Sequence, residues 1–288
     1  MTTFGRRVGV VGCGLMGSGI AEVCARSGLD VTVVESDRRF ADAGLQRLES
    51  SLGRAESRGK LPPGTTAASV LEHVRVVTNV DALADRDLVV EAIVEDEQAK
   101  TSLFAKLDRV VESADAVLAT NTSSIPIMKL GVATSRPERV IGVHFFNPAP
   151  VLELVEIVPS LLTSSETIRR SRAWVKDVLG KTAIDCKDRA GFIVNALLIP
   201  FVLSAIRMYE SGFASAEDID RGLALGAAHP QGPLALADLI GLDTTEAVAE
   251  SLYEEFKEPL FAPPPLLQRM VDAGLLGRKS GRGFYTYS

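Results

Sequence analysis

Short apolar runs alternate with amphipathic stretches through the first two thirds of this chain, and the alternation predicts a parallel α/β sheet. Val8-Gly9-Val10-Val11 is a β-branched run ending at Gly12, and Val31-Thr32-Val33-Val34 is a second. Both read as buried strands, because a strand covered on two faces is apolar throughout rather than alternating. Between them Ile20, Val23 and Cys24 recur at helical spacing, and Gly28 punctuates the helix end. Strand, glycine turn, helix and strand in close succession form the opening unit of such a sheet.

A polar helix is expected over 38–59, stopped by Pro62-Pro63-Gly64, followed by strands over 74–77, 88–93, 116–119 and 140–145. A helix over 96–111 separates two of these strands. After Pro148 and Pro150 the chain returns along 151–158, and so short a gap predicts an antiparallel hairpin. A helix over 165–179 runs to Gly180, and 183–186 reads as a last strand. From Gly191 every periodic segment is helical, with breaks at Gly212, Gly226, Pro230-Gln231-Gly232-Pro233, Gly241 and Pro263-Pro264-Pro265. The expected fold is therefore α/β, a doubly wound domain over 1–187 followed by an all-α domain over 188–288.

Composition narrows the picture. The chain has 288 residues, 46% hydrophobic and 24% charged, with a net charge of −6. A negative balance speaks against a nucleic-acid partner, which needs concentrated positive charge. The longest apolar run, 192–206, contains Asn195, ends at Arg207 and falls short of a bilayer, so it reads as a buried helix and no membrane is expected. Three cysteines (Cys13, Cys24, Cys186) make no CxxC pair and no even framework; no metal is expected, and a reducing compartment is. The N-terminus runs straight into a strand without a signal-peptide pattern, which makes the cytoplasm the expected location.

Gly12-Cys13-Gly14-Leu15-Met16-Gly17 is a GxGxxG placed between strand and helix. Gly12 permits the tight turn, Gly14 admits a pyrophosphate to the backbone, and Gly17 lets helix and strand pack closely. Glu35 closes the second strand, where a carboxylate accepts hydrogen bonds from an adenosine ribose and repels a 2′-phosphate. Arg38 and Arg39 follow and would suit such a phosphate, but read better as solvated residues of the next helix. NAD is favoured over NADP, and the first domain is Rossmann-type.

His144 lies at the carboxyl end of its strand, the edge where open α/β sheets bind ligands. It is one of three histidines, with His73 and His229. An imidazole beside a nicotinamide suits alcohol oxidation, in which a base takes the hydroxyl proton as hydride leaves carbon. If 151–158 returns antiparallel, a carboxylate on it orients the ring; alternation leaves both Glu153 and Glu156 open. Ser123 and Ser124, after the 116–119 strand, present hydroxyls suited to a substrate oxygen or equally to helix capping. Asn195 places an amide in an apolar helix, where it needs a partner in the protein or a ligand.

Six motifs occur in order: the fingerprint, Asn121-Thr122-Ser123-Ser124, His144-Phe145-Phe146-Asn147-Pro148, Leu154-Val155-Glu156, Gly191-Phe192-Ile193-Val194-Asn195 and Gly281-Arg282-Gly283-Phe284-Tyr285. Together, across essentially the whole chain, they resemble the NAD-dependent L-3-hydroxyacyl-CoA dehydrogenases, especially the short bacterial 3-hydroxybutyryl-CoA enzymes. The resemblance implies that His144 is the general acid/base and Glu156 its orienting partner. Ser123 and Asn195 would bond the reacting oxygen, and Asn147 the nicotinamide end of the cofactor. Glu95, Lys100 and Lys279 match cofactor-side positions, while Ser51 and Arg58 match positions that contact CoA. Arg58 stands where the family has lysine, Glu153 where lysine is frequent, and Glu35 where aspartate is common. The resemblance further implies an acyl-CoA thioester substrate and a homodimer formed through the helical domain. Rival readings are a dehydrogenase of a non-CoA 3-hydroxy substrate of the L-gulonate or carnitine kind, or a non-catalytic, crystallin-like NAD-binding protein.

Overall fold

Val8, Val10, Val31 and Val33 are wholly buried, as strands covered on both faces require, and they open a single eight-stranded sheet. The computed structural model describes residues 4–287, and the chain divides into two units after Asp188. The first unit runs β1 (Arg7–Val11), α1 (Leu15–Arg26), β2 (Asp30–Val34), α2 (Arg38–Ser57), α3 (Ala67–Leu71), β3 (Val74–Val77) and β4 (Leu88–Glu91). It continues through α4 (Glu97–Val110), β5 (Val117–Thr120), α5 (Ile127–Gly131), β6 (Val140–Phe145), β7 (Leu154–Val158), α6 (Ser165–Ala173) and β8 (Thr182–Asp185).

Strand order is β3-β2-β1-β4-β5-β6-β7-β8, with every pair from β3 across to β6 parallel. The chain winds outward from β1 to β3, then returns to β4 on the other side. The carboxyl ends of β1 and β4 thus form the crevice in which such sheets bind ligands. β7 pairs antiparallel to β6, as the short gap predicts, and β8 is parallel to β7.

Two expected boundaries move for identifiable reasons. The strand expected over 88–93 ends at Glu91, whose carboxylate accepts the Ile93 amide at 2.7 Å and turns the backbone out of the ladder. The helix expected over 165–179 is α-helical only to Ala173; it widens over Trp174–Val178, where the Leu179 amide reaches back five residues to the Trp174 carbonyl at 3.0 Å. Trp174 is fully buried against the rings of Phe4 and Phe145.

The second unit is helical: α7 (Val194–Glu210), α8 (Ala216–Gly226), α9 (Pro233–Ile240), α10 (Leu242–Phe256) and α11 (Pro265–Asp272). The 192–206 run is not buried all round. Ile199, Val202, Leu203 and Ile206 enter the core, while Leu197 is 72% exposed, because the unit's own helices cover only one face of α7. Asp220 accepts the Leu234 and Ala235 amides, each at 2.8 Å, and the Tyr285 hydroxyl at 2.9 Å. Asp238 accepts the Phe284 and Tyr285 amides at 3.0 and 2.9 Å, fastening the C-terminal motif. Among the described residues no helix is long and apolar enough to cross a membrane.

Candidate active site

The fingerprint builds the first half of the site. Gly12 turns with φ +92°, and a Cβ there would meet the Ala92 carbonyl at 2.6 Å; a Cβ on Gly17 would lie 1.9 Å from the Gly12 carbonyl. Open space surrounds the Cβ position of Gly14, which is the N-cap of α1. No side chain caps that helix and its first turn, at Leu15 and Met16, carries no acid. Its free amides and positive dipole end fit a diphosphate. Glu35, just past β2, accepts the Cys13 amide at 2.5 Å, holding its carboxylate over the loop where a ribose hydroxyl would bond. Arg38 pairs with Asp42 in the open, as a solvated helix residue does. Burial, reinforced by Glu35 and opposed by Arg47, pushes the Cys13 thiol up to about 12, so it stays protonated.

The second half is an imidazole–carboxylate pair. Register sets His144 of β6 directly opposite Glu156 of β7, and Nδ1 lies 2.7 Å from a Glu156 carboxylate oxygen. Glu156 is fully buried and His144 nearly so, with the Phe146 ring edge-on at 4.6 Å. Of the two carboxylates that alternation left open, Glu153 is exposed. Asn121 ties the ends of β5 and β6 together by accepting the Phe145 amide at 2.8 Å.

A third cluster surrounds Glu95. One of its oxygens accepts the Thr122 hydroxyl at 2.5 Å, the Ser123 amide at 3.0 Å and hydroxyl at 3.4 Å, and the Ser124 amide and hydroxyl at 3.3 and 3.2 Å. The other lies 3.1 Å from Lys100 Nζ. Burial pushes the Glu95 carboxyl up, but the Lys100 ammonium and the bonds from Thr122 and Ser123 outweigh it and hold the group below the ordinary carboxylate range. Lys100 is itself buried and also meets Glu91 at 2.5 Å, so its ammonium faces two carboxylates. Sequence reasoning passed over Glu91, which reads there only as part of a strand.

Ser51 and Asn147 line one groove of about 600 Å³ between α1, α2 and the 147–150 turn, together with Arg47 and Arg54. Arg58 caps the end of α2 and is exposed; it is not among the lining residues. The two lining arginines were also missed, although 47, 51, 54 and 58 share one helical face by spacing. In the second unit, Asn195 is half-buried in the first turn of α7. Lys279 pairs with Asp243 at 2.5 Å beside the start of α10.

Comparison with known proteins matches this division. Residues 7–189 match the family model described as 3-hydroxyacyl-CoA dehydrogenase, NAD binding domain, and residues 191–287 match the C-terminal domain of the same family. The 3-hydroxybutyryl-CoA dehydrogenase of Mycobacterium tuberculosis is 56% identical over 98% of each chain. The crystal structure of FadB2 from M. tuberculosis superposes with a TM-score of 0.97 at 55% identity, covering 100% of both chains. That of (S)-3-hydroxybutyryl-CoA dehydrogenase PaaH1 from Ralstonia eutropha gives 0.90 at 45% identity over 98% of this chain and 99% of its own. With both halves of the fold matched and the fingerprint and imidazole–carboxylate pair in place, the chain belongs to the NAD-dependent 3-hydroxyacyl-CoA dehydrogenase family.

Proposed function

We propose that the protein interconverts short (S)-3-hydroxyacyl-CoA and 3-ketoacyl-CoA thioesters, 3-hydroxybutyryl-CoA foremost. The observation that carries this reading is the buried His144–Glu156 pair at the carboxyl edge of the sheet that also bears the fingerprint. Bound NAD supplies the acceptor or donor of hydride; the protein's side chains handle the proton and the oxygen. Because Glu156 engages Nδ1, proton exchange with the substrate runs through His144 Nε2. In oxidation neutral His144 takes the C3 hydroxyl proton, and Glu156 balances the charge the ring acquires. In reduction the same nitrogen returns it to the forming alkoxide. Ser123 and Asn195 hydrogen-bond the C3 oxygen, where charge develops.

Gly12, Gly14, Leu15, Met16 and Gly17 hold the cofactor's diphosphate and Glu35 its adenosine ribose. Asn147 serves its nicotinamide end, and Glu95, Lys100 and Lys279 are the cofactor-side acidic and basic residues. Ser51 and Arg58 contact CoA, and Arg47 and Arg54 add positive charge to the groove that Ser51 lines, for a phosphate-bearing thioester. Three buried cysteines with no CxxC pair suit a reducing compartment, in which we place the enzyme, the cytoplasm. Initial rates with acetoacetyl-CoA, longer 3-ketoacyl-CoA thioesters and free 3-oxo acids test the reading. Acetoacetyl-CoA with NADH is expected to be fastest, and NADPH slower by about 10²-fold because Glu35 repels the 2′-phosphate. Faster turnover of the free acids would instead indicate a non-CoA substrate.

Leu197, Phe213 and Leu225 of the second unit are each more than 70% exposed, and Leu239 about half. Apolar surface on this scale supports a homodimer formed through that unit. Light scattering is expected to give twice the 30.7 kDa chain mass at micromolar concentration; a monomer across the accessible range contradicts it.

A further inference from the structure

Glu91 has no role assigned so far, and Lys100 only the cofactor-side position that the resemblance gives it. Glu91 ends β4, the strand beside β1 at the crevice, in register with Val11 on one side and Thr120 on the other. Its side chain is fully buried, and Lys100 is 1% exposed. An ammonium this deep persists only with charged partners, and both of its partners are carboxylates.

Two arms leave Glu91 and meet on one turn. Along the first, Glu91 accepts the Thr120 hydroxyl at 2.6 Å, and the Thr120 hydroxyl accepts the Thr122 amide at 3.1 Å. Along the second, Glu91 holds Lys100, Lys100 holds Glu95, and Glu95 collects the amides and hydroxyls of Ser123 and Ser124 with the Thr122 hydroxyl. Every polar anchor named here for the backbone at Ser123 traces to this buried pair.

We propose that Glu91 and Lys100 are positioning residues for the reaction, fixing Glu95 and through it the Ser123 hydroxyl that meets the C3 oxygen. The proposal rests on the reading of Ser123 as a substrate contact.

A double-mutant cycle tests it in the full-length enzyme. The paired change Glu91→Gln with Lys100→Met removes both fully buried charges together, while Glu95 loses its ammonium but is partly exposed and keeps its donors from Thr122, Ser123 and Ser124, which favours a folded site. With saturating NADH, kcat for acetoacetyl-CoA is expected to fall about 10- to 100-fold, because small misplacements of a reacting partner cost that much. KM is expected to hold within about threefold. In a Ser123→Ala background the same paired change is expected to cost less than about threefold more, since the group it positions is gone. Undiminished kcat in the paired variant, or a full loss repeated in the Ser123→Ala background, overturns the proposal. Wild-type kcat in Ser123→Ala alone overturns the reading beneath it, and the two failures are thereby distinguished. If the paired variant does not fold, Lys100→Arg keeps the charge but presents a planar fork to Glu95; the same kcat loss and cycle are expected there, and unchanged kcat overturns the proposal.

Discussion

Replacing His144 by glutamine is expected to lower kcat for acetoacetyl-CoA reduction by about 10²–10⁴, the range for losing a general acid/base. Glutamine approximates the volume of the ring, and its amide still donates to Glu156, so the buried junction between β6 and β7 stays paired. What it lacks is a ring nitrogen that can accept a proton from the substrate and return it. The groups that hold the cofactor's diphosphate and adenosine ribose belong to other elements, the fingerprint after β1 and Glu35 after β2. NADH binding, followed by its fluorescence, is therefore expected to change less than about threefold. The combination of intact cofactor affinity with collapsed turnover is the signature. A glutamine variant with wild-type kcat removes His144 from the chemistry.

The parts of this protein legible in its sequence are those whose signal is local. The fingerprint is read within six residues: Gly17 is required by the Gly12 carbonyl in the same turn, while Gly12 faces Ala92 and Gly14 open space. The strands β1, β2 and β6 announce themselves as apolar runs because both their faces are buried. The hairpin of β6 and β7 follows from a short gap, but its register does not. Whether Glu153 or Glu156 meets His144 depends on how the 147–150 turn spends its residues, and a slip of one residue sends every side chain to the other face. Only the family resemblance pointed to Glu156, and the strand pairing places it there.

Less legible were groups whose partners are distant along the chain. Glu91 looks like an ordinary strand end, yet its neighbours Lys100 and Thr120 come from a helix and a strand that sequence spacing alone does not bring together. Asp220 and Asp238 are in the same position, bonding a motif some tens of residues downstream. Arg47 and Arg54 carried a readable helical spacing with Ser51, but which face of α2 opens on a groove depends on α1 and the 147–150 turn. The exposed side of α7 was misread for a related reason. An apolar run records what is hydrophobic, not how much cover its own unit provides.

Glu156 gives the other large expected effect, and two substitutions there separate chemistry from packing. Glutamine at 156 has the size of the native side chain but no charge, and its amide group donates where the carboxylate only accepts. Turned toward Nδ1, that donor favours the tautomer with its proton on Nε2, where the substrate needs a lone pair. Even with its oxygen inward it cannot balance an imidazolium. A fall in kcat of about 10²–10⁴ is expected, the scale on which amide-for-acid changes act in such pairs. Stability should move little, because a neutral amide costs less to bury than a carboxylate. Alanine at 156 removes the partner and the volume together, leaving a cavity on the face of the sheet that Glu156 shares with His144, and a buried imidazole without this carboxylate. Unfolding free energy is then expected to drop by about 2–4 kcal/mol, together with the loss of turnover. Melting curves and kcat measured on both variants decide the matter. If glutamine leaves kcat near wild type, the carboxylate serves packing alone and the charge-balancing role is withdrawn; if glutamine destabilises as much as alanine, its catalytic deficit is a consequence of unfolding and not of the missing charge.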